Sequence, residues 1–259
     1  MSDGLELVRD GDIARLVFTR PEKKNAISYE MWSAIPSVVS DVESDPSVKV
    51  LVLSGEGTDF SAGADIGEFQ TLRSSADGAA AYDKAVDGTV RALAAMRKPS
   101  IALIKGNCIG GGCEISVACD FRFAADDARF GITPSKLGIV YDFESTRQLV
   151  SLVGQAHARH FLLSGQLIDA ARAREIGLVQ DVFPAESVTE KTLEFAATLC
   201  SRSQFAVRGI NHVIQKIVGG QQDTDEEIEQ IRSEAIRGED YAEGVAAFLE
   251  RRQPNFTYR

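Results

Sequence analysis

The run Ser100-Ile101-Ala102-Leu103-Ile104-Lys105, followed closely by Ile109-Gly110-Gly111-Gly112-Cys113-Glu114, constrains this chain more than any other stretch. It joins an apolar, β-capable strand to a glycine loop and sets a carboxylate at the head of a helix expected over about Cys113–Cys119. Gly110 to Gly112 carry no Cβ, so the backbone can turn sharply there and a ligand can lie against its N–H groups. The first N–H groups of a helix have no internal partner, and the helix dipole favours negative charge at that end. Glu114 stands at that position. A backbone donor beside a carboxylate suits chemistry on a carbonyl, where the donor stabilises an oxyanion and the carboxylate moves a proton. Alone, the same pattern also describes a tight turn followed by an acid that merely complements the dipole.

A second unit of the same design shifts the balance toward chemistry. Val48-Lys49-Val50-Leu51-Val52-Leu53-Ser54 reads as a strand and runs into Gly55-Glu56-Gly57-Thr58-Asp59-Phe60-Ser61-Ala62-Gly63-Ala64-Asp65-Ile66, where small residues again precede a possible helix. Two strand-to-loop units ending in exposed backbone donors can pinch one carbonyl oxygen between them, which is an oxyanion hole.

The rest of the chain supplies a mixed α/β frame. Leu5 to Val8 and Ile13 to Thr19 alternate about Asp10-Gly11 as a hairpin. A helix from near Ser28 buries Met31, Trp32, Ile35, Val38 and Val39; another runs from about Ala80 to Met96 and stops at Lys98-Pro99. Thr71 to Ala79, polar and rich in Ala and Gly, is the expected mobile stretch. Two more strands are expected at Phe121 to Ala124 and Ala128 to Gly131. From Phe143 onward the pattern is almost wholly helical: 145–153, 157–163, 170–175, 185–201, 206–218, 225–237 and 241–252. Strand–loop–helix recurs at unequal spacing, so the core reads as a coiled stack of β-β-α turns and not as a strict repeat.

The formal charge of -10 disfavours nucleic-acid and anionic-membrane surfaces, so any phosphate-bearing ligand must be met by particular Lys and Arg residues. Cys108, Cys113, Cys119 and Cys200 show no metal-type or redox spacing and read as small buried residues of a reduced, cytoplasmic protein. No apolar run is long enough to span a bilayer, and Ser2-Asp3-Gly4-Leu5-Glu6 is unlike a secretory leader. No cluster of His, Cys and carboxylates has metal-ligand spacing; His157, His160 and His212 read as structural.

Phe60-Ser61-Ala62-Gly63-Ala64-Asp65-Ile66 and Gly110-Gly111-Gly112-Cys113-Glu114 together resemble the two signature segments of the crotonase (enoyl-CoA hydratase/isomerase) superfamily. The resemblance extends in order from Arg20-Pro21-Glu22-Lys23-Lys24-Asn25-Ala26, through Ile176-Gly177-Leu178-Val179 and Val182-Phe183-Pro184, to Glu243-Gly244 and Phe248-Leu249-Glu250-Arg251-Arg252. It implies an α/β fold, a spiral of β-β-α units over residues 1–200 holding an acyl-CoA site, and a helical region over 201–259 that assembles a homotrimer or a dimer of trimers. It implies no cofactor beyond the coenzyme A of the substrate. The oxyanion donors would be the N–H groups of Ala64 and Gly111. Lys23, Lys24, Ala26, Ala62, Asp65, Ile66 and Arg251 would contact the CoA thioester, Arg251 from a neighbouring subunit.

Glu114 matches the first catalytic glutamate of enoyl-CoA hydratases, but the register that should supply the second gives Pro134, which cannot shuttle a proton. Asp142, in Leu137-Gly138-Ile139-Val140-Tyr141-Asp142, resembles the single aspartate base of some family isomerases, although it also stands where a helix N-cap would. Glu144 is the weaker acid candidate. Thr133-Pro134 with Tyr141 resembles the methylmalonyl-CoA decarboxylase branch. The expected function is therefore hydration or double-bond isomerisation of an enoyl-CoA by Glu114 and Asp142. The alternatives are decarboxylation assisted by Tyr141, or a non-catalytic acyl-CoA binder that lost its second acid. The charge disfavours the RNA-binding role of one unusual branch.

Overall fold

A computed structural model describes residues 2–258. Strands β1 (Leu5–Asp10) and β2 (Ile13–Phe18) form the expected hairpin, closed by Gly11 at φ 58°. Helix α1 (Tyr29–Ser44) begins at Ser28, whose hydroxyl caps the Met31 N–H, and buries Met31, Trp32, Ile35, Val38 and Val39. Strand β3 (Val50–Gly55) then joins β2 in parallel.

Past the first signature loop come the short helix α2 (Phe69–Leu72) and the long helix α3 (Ala76–Ala94). The expected mobile stretch at Thr71 to Ala79 is thus helical at both ends. Ser75 accepts from the Gly78 N–H, and this N-cap starts α3 four residues before the expected point. Next come β4 (Ser100–Ile104), β5 (Asn107–Ile109), the short helix α4 (Gly111–Ala118), β6 (Phe121–Ala125) and β7 (Arg129–Gly131).

The C-terminal part departs from the all-helical expectation. Helix α5 (Phe143–Ser164) breaks its helical geometry at Gly154, φ 75°, where two helices had been expected. It is followed by β8 (Ile168–Asp169), α6 (Ala170–Glu175), β9 (Asp181–Phe183) and α7 (Val188–Cys200). The two extra strands are only two and three residues long, too short to show an alternating pattern, and they form by adding to existing edges at β7 and β6. Helices α8 (Gln204–Val218), α9 (Glu226–Arg237) and α10 (Glu239–Glu250) complete the chain.

Two sheets arise. The larger has the order β1-β2-β3-β4-β6-β9 and the smaller β5-β7-β8. The turns β4–β5 and β6–β7 each place one strand in the large sheet and the next in the small one before leaving through a loop and helix. Strands β3 and β4 are buried along almost their whole length, as parallel strands covered on both faces should be. Phe195, Ala196 and Leu199 of α7 cover one face with Val50, Val52, Ile101, Leu103 and Phe123; the main core with α1, α3 and α4 fills the other.

Helix α4 runs through that core, with Gly112 to Ala118 all buried. Its end is held by the buried Arg122, whose guanidinium donates to the carbonyl oxygens of Ser116 at 3.1 Å and Leu178 at 2.8 Å. A cation there satisfies orphan carbonyls and complements the negative end of the helix. The N-terminus of α4, which carries Gly111 and Glu114, is therefore set by a rigid element. Cys108, Cys113 and Cys119 are buried free thiols in the same core, and Cys200 is half-buried.

Candidate active site

Three backbone segments leave the small sheet side by side. Ser61 makes a parallel bridge to Cys108, and the Ile109 N–H donates to the Ser61 carbonyl at 2.9 Å. On the other side β5 pairs with β7, and the Gly110 N–H donates to the Gly131 carbonyl at 2.7 Å. The segments that follow, 62–64, 110–111 and 132–134, consequently line one cavity of about 600 Å³. Helices α2 and α3 and the stretch 136–142 close it.

Two amides meet in this cavity. Ala64 is bridged in parallel to Ile27, which donates to the Gly63 carbonyl at 2.7 Å and accepts from the Asp65 N–H at 2.9 Å. A parallel bridge uses those flanking groups and turns the Ala64 N–H to the opposite side. Gly111 opens α4, so its N–H has no intrahelical acceptor. Among the described residues neither N–H donates to a protein acceptor. The two segments nearly touch. A Cβ on Gly63, which sits at φ 94°, would lie 2.6 Å from the Ile109 carbonyl oxygen and 3.0 Å from the Gly111 nitrogen. One on Gly111 would lie 2.7 Å from the Trp32 ring and 3.4 Å from the Ala64 nitrogen. Glycine at both positions permits this approach.

Glu114 is 6 % exposed and accepts a 2.6 Å hydrogen bond from the Ser145 hydroxyl. Burial pushes its carboxyl up to about 8; the Ser145 hydrogen bond works against this and the neighbouring Asp142 charge adds to it. The group is therefore largely a neutral acid near pH 7. Asp142 holds both positions that the sequence offered. Its Oδ1 accepts from the Ser145 N–H at 2.9 Å as the N-cap of α5, and the residue lines the cavity beside Glu114. Tyr141 lies against the same acids; its hydroxyl is buried without a hydrogen-bond partner, and burial, then the Glu114 charge, raise it well above the ordinary phenol range. Pro134 starts a single 3-10 turn, Pro134–Lys136, in the cavity wall. Glu144 is tied to Arg147 and Gln148 outside the cavity.

Of the residues read as contacting the thioester, Ala62 and Ile66 line the cavity. Ala26, Lys23, Lys24, Asp65 and Arg251 do not. The Asp65 carboxylate is taken up by Lys23 at 2.9 Å and Arg20 at 2.8 Å, and it caps the turn at Gly67, so its observed contacts brace the first signature loop. The Lys23 charge is spent on the same ion pair. Lys24 is left-handed at φ 51° and its carbonyl accepts from the Ala62 N–H at 2.9 Å. Arg251 ends α10 on the C-terminal helices. His157 and His160 lie on α5 and His212 on α8, none of them in the cavity.

Several residues at or behind the cavity escaped the sequence reading. Ser145 is three residues beyond Asp142 and could have been flagged as the cap partner, but nothing in the sequence pairs it with Glu114. Trp32 looked like core, and it is core, yet its ring edge also backs Gly111. Phe69, Arg73, Tyr82, Asp83, Val86 and Asp87 come from α2 and α3, whose approach to the glycine loop has no local signal.

The architecture agrees with what known proteins show. Residues 9–259 match the family model for enoyl-CoA hydratase/isomerase. The chain is 35% identical to the crotonyl-CoA hydratase of Syntrophomonas wolfei, with 98% of each chain covered. It is 30% identical to the peroxisomal Delta(3,5)-Delta(2,4)-dienoyl-CoA isomerase of Arabidopsis thaliana, covering 97% of this chain and 96% of that one. A crystal structure from Hyphomonas neptunium, described as an enoyl-CoA hydratase/isomerase family protein, superposes with a TM-score of 0.95 at 34% identity, over 99% of this chain and 98% of that chain. The chain belongs to the enoyl-CoA hydratase/isomerase family, has the crotonase fold, and is an enzyme that acts on CoA thioesters.

Proposed function

We propose that this enzyme binds an enoyl-CoA with its thioester oxygen between the Ala64 and Gly111 N–H groups and moves the double bond by shuttling one proton between Glu114 and Asp142. The observation that carries this reading is the pair of unequal acids in one cavity: Glu114 is buried and held neutral to about pH 8, and Asp142 stands beside it. Two neighbouring carboxyls in different surroundings, one buried and one at a helix start, divide naturally into acid and base. Asp142 removes the α-proton of a 3-enoyl thioester, negative charge collects on the oxygen facing the two amides, and Glu114 returns a proton at the γ-carbon. Proton transfer from Asp142 to Glu114 resets the pair. Water addition to a 2-enoyl thioester uses the same groups, with Asp142 as base toward water and Glu114 as donor to the α-carbon. The coenzyme A enters as part of the substrate and no further cofactor takes part.

A second reading, loss of carbon dioxide from a 2-carboxyacyl thioester, draws support from the buried, unpartnered hydroxyl of Tyr141. The test is a rank order. Asp142→Asn, Glu114→Gln and Tyr141→Phe should be compared on crotonyl-CoA, a 3-enoyl-CoA and methylmalonyl-CoA, with products identified by mass and NMR. Under the first reading Asp142→Asn removes isomerisation by orders of magnitude at little cost in thioester affinity, and Tyr141→Phe is nearly silent. If Tyr141→Phe is the most damaging and Asp142→Asn nearly silent, decarboxylation replaces it.

The region over 201–259 is read as the assembly surface of a cytoplasmic trimer or dimer of trimers. In support, α8 exposes Ile210, Ile214 and Ile217 at helical spacing, and α10 leaves Phe248 at 82 % and Leu249 at 74 % exposure. Light scattering should give a trimer or hexamer, and truncation from Phe248 onward should weaken CoA binding through loss of Arg251. A stable monomer with full CoA affinity would defeat this assignment.

A further inference from the structure

One wall of the cavity plays no part in that chemistry. Helix α3 turns Tyr82, Asp83, Val86 and Asp87 toward it, the spacing of a single helical face. Asp83 is neutralised there: it pairs with Arg73 at 2.5 Å, and the Arg73 guanidinium lies 4.6 Å from the Phe69 ring and 4.7 Å from the Tyr82 ring. Asp87 has no such partner. Its only ion pair among the described residues is with Arg91 at 4.0 Å, and Arg91 is 70% exposed. Lys136, the other cation in the lining, runs along Gly165, where a Cβ would come within 3.0 Å of its Cε. Asp87 and Asp142 are left as two carboxylates lining the same cavity, and burial first, then the Asp142 charge, raises the Asp87 carboxyl above the ordinary range. Two more polar atoms of this wall, Trp32 Nε1 and Tyr82 Oη, are fully buried near one another, with no other hydrogen-bond partner.

The order along a bound acyl group follows from the proposed function, on which this inference rests. The thioester oxygen lies at Ala64 and Gly111 and the reacting carbons at Glu114 and Asp142, and Asp87 lines the same cavity from α3, close enough to Asp142 to feel its charge. We propose that Asp87 reads the distal end of the acyl group: together with Asp142 it excludes chains ending in a carboxylate and accepts uncharged ends, favouring one that donates a hydrogen bond. Like charges in a partly desolvated cavity repel far more strongly than in water, and such a clash discriminates where added contacts would not.

The experiment uses 2-enoyl-CoA thioesters of equal length ending in methyl, carboxamide or carboxylate. Carboxamide and carboxylate match in shape and differ in charge. For the unmodified enzyme, kcat/KM of the carboxylate should fall at least about tenfold below that of the carboxamide. Asp87→Asn should narrow this ratio to within about threefold, and Asp87→Glu should keep it. The inference is overturned if the unmodified enzyme treats the two alike within about threefold, or if Asp87→Asn leaves the ratio whole. Calorimetric binding of the three saturated analogues measures the same discrimination without turnover. Selective binding without reaction on any enoyl thioester would count against the proposed reaction and leave the role of Asp87 standing.

Discussion

Glu114→Gln should lower the rate of double-bond migration or water addition by about a thousandfold, because a positioned proton donor contributes on the order of 10²–10⁴ and glutamine keeps the shape without the proton. The same variant should change two pH profiles. On the proposed mechanism the neutral form of Glu114 is the working acid, so kcat/KM of the unmodified enzyme should decline as pH rises through about 8, and that limb should vanish in the variant. The stability effect has its own sign. The carboxyl is raised in the folded state from its ordinary value of 4.5 to about 8, so the native state holds the proton more tightly than the unfolded chain does. Stability is greatest below the unfolded value, is lost progressively as pH rises from 4.5 to about 8, and levels off above that. Thermal melts at about pH 5 and about pH 9 should therefore differ less for Glu114→Gln than for the unmodified protein. An unchanged pH–rate limb in the variant would mean that another group supplies the proton.

Gly111→Pro should reduce turnover on every accepted thioester by at least about a hundredfold, the loss expected when one preorganised donor is removed. Proline is tolerated at the first position of a helix, so α4 itself should survive. The added ring must displace the Trp32 edge, since even a Cβ would come within 2.7 Å of it. For that reason Gly111→Ala is the informative companion: it keeps the N–H but crowds both Trp32 and the approach to Ala64. If Gly111→Ala retains most activity while Gly111→Pro loses it, the donor and not the space is what matters. Circular dichroism and a thermal melt establish that both variants are folded. Turnover of Gly111→Pro within a few fold of the unmodified enzyme would show that the thioester oxygen is bound elsewhere.

The loops that carry the two amides were legible because the constraint on them is local. A strand, residues without bulk and a helix start leave the same mark in any chain, and so Gly63, Ala64, Gly111 and Glu114 could be found by reading along it. The hairpin at Gly11, the Ser28 cap and the buried face of α1 were legible for the same reason. The partners of Glu114 were not. Ser145 and Asp142 reach it only because α5 starts beside α4, a distance of thirty-one residues in sequence that no periodicity encodes. Asp65 is a conspicuous acid in a signature loop whose partners, Arg20 and Lys23, lie more than forty residues away and leave no mark beside it in the sequence. Strands β8 and β9 went unseen because strands that short are defined by the edge they join.

The two amides of the site are presented by strand register. Ala64 is aimed by its bridge to Ile27, and Gly111 by the pairing of β5 with β7 and by the anchored α4. The pair of donors proposed to polarise the carbonyl therefore comes with the fold and is indifferent to side-chain identity, except where glycine is needed for clearance. Mutation at Ala64 can alter the lining while the donor stays in place. The side chains proposed to move protons and to select the acyl group are Glu114 on α4 and residues of α3 and of the stretch between β7 and α5, where a single codon change alters the chemistry without disturbing the ladder. A lineage built on this frame can diversify its reactions while retaining its hold on the thioester.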